Sequence, residues 1–332
     1  MSTTILAGFR RGLLIGLSLG VLVYLSYAIW TGWEEAAAAL LSFQWGWLPL
    51  LLLLSMVNYG LRYLRWEFYL RTLSISVPWR SSAAIFLAGL AMTITPGKVG
   101  EFLKSYLLKK SAGIPMATSA PVVLVERITD LLSLLLLASF GVASYGGSTG
   151  RTLLLVVGAL VLLAVVVLHS RSLSRLLLRL LAVLPMGARL APKLSELLDS
   201  SRALLGLRPL CLGLLLATVA WFAECLGYFW AFDAFPDSPG LELSVAVFAY
   251  SFSTVVGVLS PGGIGPTDIG LIELACQFNP GLAERRDLAT AASFVVRLCT
   301  LWFAVLLGAF ALLRYRAEVE VDVELARGGG EP

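Results

Sequence analysis

Apolar residues run along this chain in long blocks rather than in the three-to-four residue rhythm of a soluble amphipathic helix. Blocks at residues 13–30, 46–64, 116–142, 152–169, 210–232 and 288–313 are each long enough to cross a hydrocarbon layer of about 30 Å as a helix. Two further blocks, residues 82–95 and 244–259, are shorter and run into helix breakers: TPGKVGE from Thr95 to Glu101, and SPGGIGP from Ser260 to Pro266. A chain that turns at Pro96, Gly97 and Gly100, or at Pro261, Gly262, Gly263 and Gly265, returns the way it came, through residues 101–111 or 267–278. The pattern predicts an all-α polytopic membrane protein with about six transmembrane helices plus two re-entrant helical hairpins. Pairs of short crossing helices would satisfy the same lengths.

Composition agrees with a membrane solvent. Of 332 residues, 58% are hydrophobic and 14% charged, and the mean hydropathy is +0.86. The net charge of +4 matters less than where the basic residues fall, because cytoplasmic segments accumulate Lys and Arg. With the N-terminus inside, Arg10 and Arg11, then Arg62, Arg65, Arg71 and Arg80, then Lys104, Lys109 and Lys110 all fall on the cytoplasmic side. So do the basic stretch from Arg171 to Arg208 and the tail's Arg314, Arg316 and Arg327, whereas only Arg151, Arg285 and Arg286 fall outside. Both termini are therefore expected in the cytoplasm.

An internal repeat follows from the same motifs. One offset lays Pro96, Gly97 and Gly100 on Pro261, Gly262 and Gly265, and an offset five residues longer lays Arg127 on Arg297. Each half reads as a span, a Pro-Gly hairpin and a span with a central arginine. The orientation makes the halves inverted, a design in which transporters place a site near the midplane. The chain is thus expected to be one membrane domain over 1–332. An anchor and outer loop (1–45) precede a first repeat (46–142); a connecting helix and basic linker (143–209) lead to a second repeat (210–313) and a disordered tail (314–332). Arg171, Arg175 and Arg179 predict an amphipathic helix on an anionic leaflet, or else a solvated linker. Gly12, Gly16 and Gly20, four apart, offer a face for a homo-oligomer.

Charged residues at membrane depth cost ~2.5 kcal/mol or more and usually meet a partner or a wet cavity. Here they are Lys98, Glu101, Glu126, Arg127, Asp130, Glu224, Asp268, Glu273 and Arg297. They could simply pair among themselves, Arg127 with Glu101 and Arg297 with Glu224. Alternatively, the basic groups and the free amides of a half-helix starting at each turn would suit a phosphate. Other chemistries are disfavoured. The single His169 excludes a His-dependent triad, and Cys211, Cys225, Cys276 and Cys299 are spaced as free, buried thiols rather than metal ligands. PGKVGE lacks the order of a nucleotide-binding loop, and no basic, aromatic-studded surface for nucleic acid is visible. No cofactor, metal or catalytic residue is expected.

At these residues the chain resembles the flippase-like membrane region of lysylphosphatidylglycerol synthetases, found also as stand-alone proteins. The matching stretches are PGKVGE with Lys104 and Leu107 after it, VLVERITD from Val123 to Asp130, PGGIGPTD from Pro261 to Asp268, and SFVVRL from Ser293 to Leu298. The likeness runs over residues 45–313. It implies a prokaryotic cell-membrane protein that moves a phosphate-bearing lipid, aminoacylated or polyprenyl, between leaflets, with anionic membrane lipids as partners. Asp268 replaces the family's usual glutamate, Pro266 stiffens the turn, and the soluble aminoacyl-transfer domain is not in this sequence, so lysyl-lipid synthesis is not expected. The leading expectation is a lipid flippase without covalent chemistry. Its candidate substrate-binding residues are Lys98, Glu101, Lys104, Glu126, Arg127, Asp130, Asp268 and Arg297, with Glu224 as an ion-pair partner. The alternatives are an intramembrane lipid-phosphate enzyme using Glu126 or Asp130 as base, and a scaffold whose charges hold helices together.

Overall fold

A computed structural model describes residues 33–145, 147–170, 172–173 and 187–314, with residues 18, 21, 22, 25, 26 and 29 ahead of them. The described residues are helical, without strands. Most of the predicted span 13–30, its glycine face at Gly12, Gly16 and Gly20, the Arg171–Arg179 stretch and the tail from residue 315 lie outside them.

The helices are α1 (Trp33–Leu41), α2 (Leu48–Thr72), α3 (Trp79–Leu90), α4 (Leu103–Ala112), α5 (Met116–Tyr145) and α6 (Gly147–His169). After them come α7 (Gly187–Leu204), α8 (Leu207–Asp233), α9 (Leu243–Val256), α10 (Pro266–Phe278), α11 (Pro280–Glu284) and α12 (Arg286–Arg297). The last helix continues through a π-helical turn, Leu298–Trp302, as far as Arg314. Among the described residues four helices are long and apolar enough to cross a membrane: Trp45–Thr72, Gly150–His169, Leu207–Asp233 and Arg286–Arg314. Helix α5 has 30 residues and so a length of about 45 Å, but Glu126, Arg127 and Asp130 interrupt its apolar run. The two shorter apolar helices, Trp79–Ile94 and Leu243–Leu259, coincide with the predicted half-hairpins.

The order of helix lengths is similar on either side of the two turns. Helices α2 to α5 run long, short, short, long around the first Pro-Gly turn, and α8, α9, α10 and α12 do the same around the second. The offset difference of five residues is the extra helix α11, itself five residues long and capped by Asn279, whose side chain accepts from the amides of Gly281 and Leu282. The turns share two hydrogen bonds. Thr95 Oγ1 donates to Met92 O at 2.7 Å, and Ser260 Oγ to Gly257 O at 2.9 Å. Lys98 N then donates to Thr95 O, and Gly263 N to Ser260 O.

Packing brings the halves together at their centres. Helix α2 lies along α8, where Asn58 Nδ2 donates to Ala220 O at 2.9 Å. The two turns touch: Ile94, Ile264, Leu301 and Val305 form one apolar cluster. A Cβ on Gly262 would stand 3.4 Å from Ile94 Cα, and the φ of 61° at Gly262 is one that side chains disfavour.

The fold corrects two sequence expectations. Arg62 and Arg65 of α2 and Lys104 of α4, counted on the cytoplasmic side, are buried at 5%, 0% and 1% exposure, because carboxylates from the first hairpin and α5 meet them. Cys211 is exposed, whereas Cys225, Cys276 and Cys299 are buried free thiols as expected. His169 closes α6 at an exposed position.

Candidate functional site

The charges at depth assemble into one network in the first half. Asp130 lies between Arg65 at 2.8 Å and Arg127 at 3.0 Å. Glu101 lies between Arg127 at 3.1 Å, Arg62 at 3.6 Å and Lys104 at 3.6 Å. Glu126 pairs with Lys104, whose ammonium also sits 4.7 Å from the centre of the Trp66 ring. Arg62, Arg65, Lys104 and Arg127 thus share Glu101, Glu126 and Asp130. Among the described residues no carboxylate lies within ion-pair distance of Lys98, whose Nζ stands 5.0 Å from the Trp221 ring centre.

The second half has a smaller centre. Arg297 donates from Nε to Asp268 at 2.8 Å and from its terminal nitrogen to Gly262 O at 2.6 Å. Asp268 in turn accepts from the amide of Gly265 at 2.9 Å. One arginine and one aspartate therefore tie α12 to both ends of the second turn. This corrects the expected partner of Arg297: the structure sets Asp268 against it, while Glu224 accepts from Tyr250 Oη at 2.7 Å. The expected Arg127–Glu101 pair is present.

Between the turns lies a cavity of about 270 Å³. Its basic wall is Arg62, Lys98, Arg127 and Arg297, its carboxylates are Asp130 and Glu224, and Tyr59, Trp221 and Tyr250 supply aromatic faces. The guanidinium nitrogens of Arg127 lie near Glu101 and Asp130 without an aligned hydrogen-bond acceptor, although buried polar groups normally have one. At formal charge, the six cations Arg62, Arg65, Lys98, Lys104, Arg127 and Arg297 exceed Glu101, Glu126, Asp130, Asp268 and Glu224 by one. Such a site suits a monoanion, held by Arg for planar recognition and by Lys as a point charge.

The structure sorts the sequence-predicted residues into two groups. Lys98, Arg127, Asp130, Arg297, Glu224, Gly262 and Gly263 line the cavity. Glu101, Lys104, Glu126 and Asp268 stand behind it as partners of the basic groups. Gly100, Pro261 and Gly265 shape the turns without lining it, and Pro96 and Gly97 lie in the first turn. The expected backbone contribution is smaller than the sequence suggested. The Gly100 amide donates to Thr95 Oγ1 and the Gly265 amide to Asp268, so these two are occupied internally and anion binding falls to side chains.

Sequence reasoning missed Arg62, Tyr59, Trp221 and Tyr250. For Arg62 a signal existed: Asn58, Arg62, Arg65 and Tyr69 recur at helical spacing as one buried polar face of α2. No match was found among curated proteins. A family model described as the lysylphosphatidylglycerol synthase TM region matches residues 14–308, nearly the whole chain, and the chain belongs to that family.

Proposed function

We propose that the protein is a lipid flippase that carries a phosphate-bearing lipid between leaflets without covalent chemistry, the head group sitting in the cavity between the two turns. The observation that carries this reading is the positive surplus of a buried cavity in which Lys98 has no carboxylate partner among the described residues. A lipid phosphodiester bears one negative charge, which would balance that surplus. The same reading makes the two Pro-Gly units re-entrant hairpins of opposite sense and puts both termini in the cytoplasm of a prokaryotic cell. Support comes from the matched turns, from the apolar helices of half-span length and from membership of the family.

Membrane lipids are the partners this reading requires, and aminoacylated or polyprenyl phosphates fall within it. The test is reconstitution into liposomes with a fluorescent phosphatidylglycerol and a membrane-impermeant quencher. Wild-type protein should expose inner-leaflet label to the quencher, and Arg127→Ala combined with Arg297→Ala should reduce the rate at least tenfold. Undiminished movement in that variant sinks the site. Mass spectrometry of the recovered lipid should find its mass unchanged; a new lipid mass would favour an enzyme.

A further inference from the structure

The repeat allows each residue at one turn to be compared with its counterpart at the other, and the two turns are packed differently. At the offset that lays Pro96 on Pro261, Ile94 falls on Leu259 and Ala91 on Val256. Ile94 is 1% exposed and Leu259 80%; Ala91 is 0% exposed and Val256 43%. The continuation of α12 covers the first turn. Ile94 packs against Leu301 and Val305, and Gly308 lies so close to α3 that a Cβ there would stand 2.1 Å from the Ala91 nitrogen. On α5 the counterparts of Leu301 and Val305 are Leu131 and Leu135, both only half-buried. The seal present at the first turn is missing at the second.

The difference falls on the cavity itself. Leu259 is the one fully exposed residue among those lining it, which places the mouth between the second turn and α5. Leu131, Val258 and Leu259 give the open side of the cavity an apolar edge, next to the half-buried Thr254 and Ser260 of the same segment. At about 270 Å³ the cavity is smaller than the roughly 300–1,000 Å³ that encloses a drug-sized molecule, so it holds a head group and not the chains behind it. The exposed Leu259 with Val258 and Leu131 offers hydrocarbon a surface there that the charged interior of the cavity does not.

We propose that this mouth is a lateral portal that seats the apolar chain of the bound lipid, open at the second turn and sealed at the first. The proposal rests on the reading of the cavity as a lipid-phosphate site. It assigns Leu131, Val258 and Leu259 to the chain and leaves the phosphate to Lys98, Arg127 and Arg297.

The experiment uses the full chain in nanodiscs with a phosphatidylglycerol carrying a diazirine in mid-chain, followed by photolysis and peptide mapping. Exposed Leu155 and Leu163 on α6 report the surrounding lipid. Labelling at Leu131, Val258 or Leu259 should exceed that at Ile94 and Leu301 several-fold. It should fall at least fivefold in Lys98→Gly, a change that fits the left-handed backbone at this position, while labelling of Leu155 and Leu163 stays constant. Portal labelling that tracks Leu163 in every variant would mean surrounding lipid only and would overturn the proposal, as would labelling concentrated at Ile94 and Leu301. A diacylglycerol with the same photoreactive chain separates the two readings. If it labels the portal as strongly, is displaced from there by excess unlabelled diacylglycerol and ignores Lys98→Gly, the portal stands and the phosphate site falls.

Discussion

Lys98 and Gly263 hold the same place in the two repeats and share a left-handed backbone, with φ of 55° and 76°. At Gly263 a side chain has no room, since a Cβ would stand 2.5 Å from Thr267 Oγ1. At Lys98 the strain of about 1 kcal/mol is tolerated by a lysine directed into the cavity. The first turn therefore carries a cation where its twin has no side chain, and the site is chemically lopsided although the two turns are alike in backbone.

Replacing Lys98 by glycine separates the two roles. The turn should keep its geometry, with a melting temperature within a few degrees of wild type, while lipid movement in liposomes falls at least tenfold. Lys98→Arg should keep most of the activity. A large loss of stability in Lys98→Gly would show that the lysine holds the fold rather than a ligand.

The partner of Arg297 can be tested by comparing two carboxylates. Asp268→Ala leaves a buried guanidinium without its ion-pair partner and should cost about 3–5 kcal/mol. Glu224→Gln keeps an acceptor for Tyr250 Oη and should cost about 1 kcal/mol or less. Denaturation in detergent, read by tryptophan fluorescence, ranks them; the reverse order would restore the pairing with Glu224.

Lys104 and Glu126 form a buried pair behind the cavity, and their contribution should be structural. Lys104→Met alone strands Glu126 and should destabilise by about 3–5 kcal/mol. Adding Glu126→Leu should recover much of that loss, because two apolar side chains leave no uncompensated charge between them. Thermal unfolding of both single variants and the double variant gives the coupling. Lipid movement by the double variant should remain near wild type.

Gly308→Val should be among the costliest changes far from the cavity. Any Cβ there meets the Ala91 backbone, which cannot swing aside as a side chain would. Overpacking of this kind costs about 1–3 kcal/mol, and the branched side chain adds to it. Melting temperatures of Gly308→Ala and Gly308→Val, falling in that order, would confirm the close approach.

Much of this architecture could be read from the chain. Among the described residues block lengths located the long and short helices, although α2 runs on to Thr72, well past the end of its block at residue 64, and the paired Pro-Gly motifs located both turns. The arginines at 127 and 297 stood out because hydrocarbon makes such residues rare. What stayed hidden depended on contacts between segments distant in sequence. Arg62 and Arg65 looked like loop charges because they follow an apolar block, yet carboxylates brought over from α5 and the first hairpin draw them inside. The choice of Asp268 over Glu224 by Arg297 depends on α10 and α12 lying side by side. The cavity's aromatic faces left no trace, since Trp221 and Tyr250 are ordinary members of apolar runs.

The π-helical turn at Leu298–Trp302 gives the last helix two phases along one axis. It adds a residue to one turn, which rotates everything beyond by about 100° relative to a regular helix. It also leaves the Thr300 carbonyl to accept from Tyr59 Oη. Before the turn, the helix points Arg297 at Asp268; beyond it, Gly308 faces Ala91. A regular α-helix through the same endpoints could satisfy one of these requirements and would swing the other out of reach. Deleting a single residue there would therefore act like turning a key, breaking either the arginine clamp or the seal over the first turn while leaving every other side chain in the sequence unchanged.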